Sequence, residues 1–274
     1  MSDRVTIEID GGVADVRLNR PDKMNAVDIG MFRALVEAGE SIKADPSVRA
    51  VVLSGNGKGF CSGLDFENFQ KMAGASSDDS SSESMGDVGA RNSDRITNIG
   101  QQACYVWTEM PAAVIAAVHG AAVGAGIQLA LAADIRIVAP DAKLSVLEIR
   151  WGLVPDMTGT QMLPRLVGLD VAKELAFTGR MVSGSEAKEL GLATRVADDP
   201  HASAMELAKE IAAKNPYAIE GVKALLNMAG QATLADAFKA EERTMGSLIG
   251  SPNNVEAVTA YFEKRDPKFA DRDS

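Results

Sequence analysis

The alternation of apolar and polar residues near the start of the chain predicts a β-hairpin. Residues 5–10 and 13–19 alternate between the two kinds of side chain, and Gly11 and Gly12 separate the two runs. Between residues 27 and 42, apolar side chains recur at helical spacing, which predicts a helix with one buried face. Residues 48–54 are predicted to form a buried strand.

The middle of the chain predicts a turn that is suited to chemistry. Residues 114–118 are predicted to be a buried strand and residues 127–133 the first turns of a buried helix. Between them lie small residues that let a backbone approach a ligand closely. They are Gly120, Gly124, Ala125 and Gly126. A chain that turns from strand to helix here presents free N–H groups at the positive end of a helix dipole, a place that suits an oxygen becoming negative.

The last third of the chain is predicted to be helical. One helix is predicted to begin after Ser183, with Glu186 in the capping-box position and Gly191 at its end. Strands crowd the first half of the chain, so the overall pattern indicates an α/β protein. The other predicted helices cover residues 96–110, 172–178, 200–214, 216–228, 234–248 and 255–265.

Composition excludes several classes of protein. The net charge of −10 over 274 residues argues against binding to a nucleic-acid backbone, although a local basic patch could still hold a small anionic ligand. The longest apolar run, residues 111–133, is interrupted by His119, Gln128 and glycines, so we expect a core segment and no membrane span. Cys61 and Cys104 form no disulfide framework, and we expect a cytoplasmic protein. With His119 and His201 as its histidines, the chain is not expected to hold a metal.

Six sequence motifs, in order, carry a resemblance to a known family. They are NRPDKMNAV, GKGFCSGLDF, AVHGAAVGAGIQLALAADIRI, LEIRWGLVPDMTGTQMLPRLVG, FTGRMVSGSEAKELGLATRV and YFEKRDPKF. In this order and spacing the chain resembles the crotonase superfamily, the enoyl-CoA hydratases and isomerases. The resemblance covers nearly the whole chain and implies a ββα spiral core in residues 1–195. A helical region in residues 196–274 would pack subunits into a homo-oligomer, either a trimer or a dimer of trimers.

The resemblance also implies an oxyanion hole for a thioester carbonyl. Its first donor is the N–H of the residue after the glycine in CSGLD, which is Leu64. Its second donor matches Ala125, where alanine replaces the usual glycine and leaves the N–H intact. Each preorganised donor is worth roughly 10²–10³ in rate. Without the resemblance, both segments would be equally consistent with ordinary tight turns.

The family's acidic positions distinguish between two reactions. Enoyl-CoA hydratases use two glutamates to hold one water, and here the second matches Glu148 while the first falls on Gln128. An amide can hydrogen-bond a water but cannot exchange a proton with it at neutral pH, which disfavours hydration.

Asp156 indicates isomerisation instead. It lies eight residues after Glu148, the separation of the Glu and Asp pair in the dienoyl-CoA isomerases of this family. Those enzymes have an aspartate where this chain has Gln128, so the match is incomplete. Simple enoyl-CoA isomerases use one glutamate at the Glu148 position, where burial raises the pKa of the carboxyl and fits it to move a proton. A solvated loop carboxylate at Glu148 and a turn-forming Asp156 after Pro155 remain the alternatives.

Recognition of CoA is implied at scattered positions. In relatives a loop near the start contacts adenine, two residues follow the first oxyanion donor, and a C-terminal helix reaches the nucleotide of a neighbouring subunit. The matching residues are Lys23, Met24, Asn25, Asp65, Phe66, Tyr261, Lys264 and Lys268.

We therefore expect an acyl-CoA enzyme that uses no cofactor beyond its thioester substrate. Double-bond isomerisation with Glu148 as base is the first hypothesis, and addition of water to a 2-enoyl-CoA is the second. A non-catalytic acyl-CoA-binding subunit is the alternative from another class. The serine- and aspartate-rich residues 71–94 are predicted to form a mobile loop, either an inert insertion or a flap over the acyl group.

Overall fold

A computed structural model of the chain describes residues 3–65 and 95–273. The predicted loop at residues 71–94 and the candidate Phe66 lie outside the described residues. The main sheet has six strands in the order β1-β2-β3-β4-β6-β9. They are β1 (Val5–Asp10), β2 (Val13–Leu18), β3 (Ala50–Gly55), β4 (Ala113–Val118), β6 (Ile135–Val138) and β9 (Arg195–Val196).

The predicted hairpin is confirmed at one edge of this sheet. β1 and β2 pair antiparallel, with Val5 opposite Leu18 and Asp10 opposite Val13. The other pairs of neighbouring strands in this sheet, β2 with β3, β3 with β4, β4 with β6 and β6 with β9, are parallel. Parallel strands need covering layers on both faces of the sheet, which explains why β3 and β4 are almost wholly buried.

Three short strands from residues 121–183 form a second sheet. It consists of β5 (Ala121–Val123), β7 (Lys143–Ser145) and β8 (Val182–Ser183). The sequence did not predict these strands, since runs of two or three residues leave no readable alternation. β5 also separates β4 from the following helix, so the predicted direct turn from strand to helix is longer than expected.

The helices follow the predicted segments closely, with one addition. Gly159–Val167 is helical although the sequence did not predict it, and it contains Pro164 in its interior. The helices are α1 (Ile29–Lys43), α2 (Ile99–Thr108), α3 (Ala125–Leu131), α4 (Gly159–Val167), α5 (Leu169–Thr178), α6 (Gly184–Glu189), α7 (Pro200–Ala212), α8 (Pro216–Met228), α9 (Leu234–Leu248) and α10 (Pro252–Glu263). Short 3₁₀ helices cover Pro21–Lys23 and Glu148–Trp151. None of the described helices is long and apolar enough to cross a membrane.

Two apolar layers hold the main sheet. The larger includes Phe32, Leu53 and Trp107, and it joins α1 and α2 to one face. The smaller joins the other face to the alanine stripe of α7, which includes Ala204 and Ala208. α7 thus packs on the sheet although it follows residue 195; the division of the chain at that residue stays a prediction.

A buried lysine docks α8 onto the core. Lys223 Nζ donates to Asp134 Oδ2 at 2.8 Å and to the carbonyl oxygens of Trp107 at 3.0 Å and Ala112 at 3.1 Å. The last three helices bury few residues: Pro216 and Gly221 on α8, Ala240 on α9, and Asn253 and Ala260 on α10. The C-terminal helical region therefore presents much of its apolar surface outward.

Candidate active site

The first wall of the site is a turn that ends at Leu64. Gly63 has a φ of +93°, and a Cβ there would lie 2.9 Å from the carbonyl oxygen of Val123. A bridge between Val27 and Leu64 anchors the turn, in which Val27 N donates to Gly63 O at 2.7 Å. Because Gly63 and Leu64 are tied to neighbours in this way, the Leu64 N–H has a fixed direction.

The second turn brings Ala125 beside the first. Gly124 has a φ of 54° and precedes α3, so Ala125 is the first residue of that helix. The N–H groups of a first helical turn have no acceptor within the helix. A Cβ at Gly63 would lie 3.9 Å from Ala125 N, and one at Gly124 would lie 3.9 Å from Gly63 Cα. The structure therefore brings together the two residues predicted to form the oxyanion hole.

Two glycines of the same stretch serve packing and not ligand access, contrary to the prediction for this turn. A Cβ at Gly120 would lie 2.1 Å from Lys58 O, and one at Gly126 would lie 2.4 Å from Cys61 O. Both positions are filled by neighbouring backbone and leave no space for a ligand. At Gly124, the nearest atom to an added Cβ is Glu148 Oε1, at 3.7 Å. The carboxylate thus faces the glycine next to Ala125.

Gln128 fills the position that a second glutamate would occupy. Its side chain is buried on α3, with 1% of the residue exposed. Nε2 donates to Glu148 Oε1 at 2.6 Å, while Oε1 accepts from the N–H groups of Met157 at 2.8 Å and Gly159 at 3.0 Å. Both ends of the amide are therefore engaged with protein groups.

Glu148 begins the 3₁₀ helix that follows β7. Its Oε2 is buried and accepts no hydrogen bond from the described residues. Burial raises the pKa of Glu148 above its ordinary value, and the negative charge of Asp156 adds to the increase. The hydrogen bond from Gln128 acts in the opposite direction, because it stabilises the ionised form. A carboxyl with these surroundings is suited to exchange protons closer to neutral pH than an exposed glutamate.

Asp156 lies at the wall of a cavity of about 940 Å³, and Glu148 is not among the described residues that line this cavity. The cavity lies between α2, the segment before α4, and α8, and Thr158 is also part of its wall. Asp156 is exposed to solvent, in contrast to the buried carboxylate of Glu148. The charge of Asp156 acts on Glu148, but the two predicted carboxylates lie in different environments.

Thr158 is a feature of the site that the sequence did not predict. Its φ of 75° lies in the left-handed region, which is strained for a β-branched residue. Its buried Oγ1 has no partner among the described residues. The next residue, Gly159, must be a glycine because a Cβ at this position would lie 2.7 Å from Gln128 Oε1. Gly159, in the sequence TGT, was the one sequence signal for this turn. It does not reveal that the side-chain amide of Gln128 requires a glycine there.

The residues of the first predicted CoA segment are held by the protein itself. Asn25 is fully buried: Oδ1 accepts from Arg20 N at 2.8 Å, and Nδ2 donates to Gly59 O at 2.9 Å. Met24 has a φ of 49° and is partly exposed next to it. Lys23 ends the 3₁₀ helix and is exposed. In this segment the backbone groups are hydrogen-bonded within the protein, and the side chains of Lys23 and Met24 lie at the surface.

The other predicted CoA contacts are widely separated. Asp65 is buried and pairs with Arg20, so its carboxylate is directed into the protein. Tyr261 is 79% exposed near the end of α10, and Lys264 terminates that helix in the left-handed conformation. Lys268 is exposed, and its N–H donates to Glu256 Oε1 at 2.6 Å. Contact of these residues with CoA stays a prediction. Within residues 3–65 and 95–273, no group of three or more His, Cys, Asp or Glu side chains is arranged to hold a metal ion.

Comparison with known proteins is consistent with this geometry. A family model described as Enoyl-CoA hydratase/isomerase matches residues 8–272. The peroxisomal Delta(3,5)-Delta(2,4)-dienoyl-CoA isomerase of Arabidopsis thaliana is 34% identical over 267 residues, which cover 95% of this chain and 94% of that protein.

Hydratases are about as similar to this chain as the dienoyl-CoA isomerase is. The mitochondrial methylglutaconyl-CoA hydratase of Mus musculus is 30% identical over 265 residues, covering 94% of this chain and 79% of that protein. The crystal structure of an enoyl-CoA hydratase from Bacillus anthracis has a TM-score of 0.86 and 30% identity, covering 97% of this chain and 98% of that one. The proteins that this chain resembles thus include both a double-bond isomerase and hydratases.

Proposed function

Since the chain belongs to the enoyl-CoA hydratase/isomerase family, we propose that it moves a double bond within an unsaturated acyl-CoA, with Glu148 as the base. One observation carries this proposal: Gln128 Nε2 donates to Glu148 Oε1 at 2.6 Å. The site therefore has an amide beside its buried carboxylate. Moving a double bond needs one group that takes and returns a proton, whereas adding water calls for a second proton-exchanging group.

The proposed reaction uses the two walls of the site in turn. Glu148 removes a proton from C2 of a 3-enoyl thioester as the double bond shifts toward C2. The negative charge moves to the thioester oxygen, which accepts hydrogen bonds from the N–H groups of Leu64 and Ala125. The proton then returns at C4, so the product is an isomer of the substrate and no other reactant is consumed.

Asp156 extends the proposal to longer conjugated systems. In a 3,5-dienoyl thioester the proton returns at C6, which lies farther from Glu148. The negative charge of Asp156 adds to the raised pKa of Glu148, and Asp156 borders the cavity of about 940 Å³. The similarity to the Arabidopsis dienoyl-CoA isomerase supports this extension.

Hydration of a 2-enoyl-CoA is the second candidate, and the similarity to hydratases supports it. In that reaction Glu148 would activate a water without a carboxylate at the Gln128 position. General acid–base help from such a second group is worth roughly 10²–10⁴, so hydration by the native chain is expected to be slow.

Product analysis distinguishes the candidates. The protein is incubated separately with 2-enoyl-, 3-enoyl- and 3,5-dienoyl-CoA, and the products are identified by mass and ultraviolet spectrum. We expect isomers from the last two substrates and little 3-hydroxyacyl-CoA from the first. Fast hydration with no isomer formed would refute the proposal, and tight acyl-CoA binding with no turnover would support the non-catalytic subunit.

The Asp156→Asn variant separates the two isomerase substrates. It removes the carboxylate at the cavity wall and leaves Glu148 in place. Turnover of 3,5-dienoyl-CoA is expected to fall by about 10²-fold, while that of 3-enoyl-CoA changes only a few-fold. Equal losses on both substrates would remove Asp156 from the proposed acid–base pair.

We also propose that the chain assembles into trimers or dimers of trimers. Large apolar side chains on α9 and α10 are exposed in one subunit, and contact between subunits would cover them. They are Leu234, Phe238, Met245, Val255, Val258, Tyr261 and Phe262. Sedimentation at micromolar concentration is expected to give a trimer or hexamer, and a monomer would contradict this assembly.

In such an assembly CoA is proposed to bind along the accessible groups of Lys23 and Met24. Tyr261, Lys264 and Lys268 of a neighbouring subunit would reach its nucleotide, as the resemblance implies.

A further inference from the structure

The buried amide of Gln128 contacts both elements that carry the carboxylates. Its Nε2 donates to Glu148, and its Oε1 accepts from Met157 N and Gly159 N. Met157 directly follows Asp156 in the chain. One side chain on α3 therefore connects the 3₁₀ helix of Glu148 to the turn that carries Asp156.

The amide has one orientation that satisfies these partners. Two backbone N–H groups need an oxygen acceptor, so the NH₂ group must face Glu148. Reversing the amide would place donors against donors on one side and an oxygen against a carboxylate on the other. The orientation of the amide, and with it a hydrogen bond to Glu148 Oε1, is therefore fixed by the backbone.

The same bonds stabilise a strained turn. Thr158 lies between the two N–H donors and has a φ of 75°, which is rare for a β-branched residue. Strain of this kind persists where surrounding contacts hold it and is concentrated at functional sites. Without the Gln128 oxygen, the buried N–H groups on both sides of Thr158 would lose their acceptor.

From these contacts we propose that Gln128 is a positioning residue whose one amide fixes Glu148 and the turn bearing Asp156 relative to each other. The inference rests on the proposed function, because it takes Glu148 as the reacting carboxylate. The neutrality of Gln128 is part of its role, since a second negative charge at this distance would hold the proton on Glu148.

The isosteric variant Gln128→Glu tests the neutrality. The introduced carboxylate would still accept from Met157 N and Gly159 N, which favours its ionised form. Its other oxygen would lie about 2.6 Å from Glu148 Oε1, so the two carboxylates would share a proton. Together with Asp156, the introduced charge is expected to raise the titration midpoint of Glu148 by at least about one pH unit.

The variant Gln128→Met tests the positioning. Methionine is similar in length to glutamine but makes none of the three hydrogen bonds, so both connections are lost. We expect kcat to fall by about 10²-fold with KM within a few-fold of the wild type, since small misplacement of a reacting group costs that much. Circular dichroism verifies folding, and the Gln128→Glu result decides if this variant does not fold.

A matched control lies on α2. Gln102 is also buried, and its Nε2 donates to Glu109 Oε1 at 3.0 Å. Gln102→Glu therefore introduces the same change beside a different carboxylate. It is expected to leave the titration of Glu148 and the kcat of the enzyme unchanged.

Infrared titration measures Glu148 without turnover. Its carboxyl band is assigned by difference from Glu148→Gln and followed with pH in the wild type, Gln128→Glu and Gln102→Glu. A midpoint in Gln128→Glu within about half a unit of the wild type would overturn the proposal, as would a Gln128→Met kcat within about threefold. A wild type that hydrates and does not isomerise would overturn the proposed function alone, because these readouts apply to either reaction.

Discussion

The two walls of the proposed site differ in the kind of chemical group that they present to the substrate. The oxyanion wall (Gly63, Leu64, Gly124 and Ala125) offers backbone N–H groups, which nearly every amino acid carries. The carboxylate wall (Gln128, Glu148 and Asp156) depends on side chains, and there the exchange of a carboxylate oxygen for an amide nitrogen changes the chemistry. Side-chain identity is thus expected to matter little in the first wall unless it disturbs the backbone, and to decide the reaction in the second.

The largest effect is expected from Glu148→Gln in the carboxylate wall. The variant keeps the shape of the side chain but removes the base, so turnover is expected to fall by about 10⁴-fold, the upper end for a general base. Acyl-CoA binding is expected to persist, because the oxyanion wall is intact. Steady-state kinetics and calorimetric titration with a saturated acyl-CoA measure the two quantities.

Glu174→Gln is the control for this variant. Glu174 is half-exposed and pairs with Arg180 at the surface. Its substitution is expected to change neither turnover nor binding. Activity of Glu148→Gln within a few-fold of the wild type would mean that another group is the base.

A smaller but still large effect is expected from Gly63→Ala in the oxyanion wall. The added Cβ would lie 2.9 Å from Val123 O, at a residue whose φ is +93°. The turn must shift, and the Leu64 N–H shifts with it. We expect kcat to fall by roughly 10²–10³-fold, the cost of losing one oxyanion donor.

Two controls separate position from strain. Gly250 has a φ of +77°, with no described atom within 4 Å of an added Cβ, so Gly250→Ala carries similar backbone strain away from the site. It is expected to cost about 1 kcal/mol of unfolding free energy and no activity. Ala125→Gly keeps its N–H and is expected to remain within a few-fold of the wild type. A large loss there would contradict the comparison, because side-chain identity would then matter in the oxyanion wall.

The smallest effect is expected in the pH dependence. Burial raises the pKa of Glu148 and the base must be ionised, so kcat/KM should fall about tenfold per unit as pH drops below that pKa. This fall of kcat/KM, the acid limb of the pH profile, should have its midpoint at a pH above about 4.3, the ordinary pKa of glutamate. Asp156→Asn removes a neighbouring negative charge and should move the limb to lower pH. A limb that moves to higher pH would contradict the assigned influence of Asp156.

Much of the fold could be predicted from the sequence, because its long elements have a regular spacing of apolar residues and recognisable ends. The hairpin of β1 and β2 and the bounds of α8 and α9 match the predictions. The second sheet could not be predicted, since β8 has two residues and draws its stability from β7. α4 was missed because Pro164 and three polar residues obscure its apolar face.

The site was predictable where a motif determines it. The resemblance pointed to Leu64, Ala125, Glu148 and Gln128, and their roles stay predictions. The structure places Gln128 in hydrogen-bond contact with Glu148 and the turn of Gly63 beside Ala125. The partners of Gln128 were not predictable, because backbone N–H groups from residues about thirty positions away leave no trace in side-chain identity. The exposure of Asp156 also depends on how the segment before α4 meets α8, which is a tertiary property.

The hydrogen bonds of Gln128 have an evolutionary consequence. The codons for glutamine and glutamate differ at one nucleotide, so a single mutation exchanges the amide for a carboxylate. Met157 N and Gly159 N already donate to the oxygen at this position and would donate to a carboxylate oxygen in the same place. A lineage carrying this scaffold can therefore exchange the amide beside Glu148 for a second carboxylate in one step. Exchange between the two kinds of chemistry would then require no new backbone donor in the site.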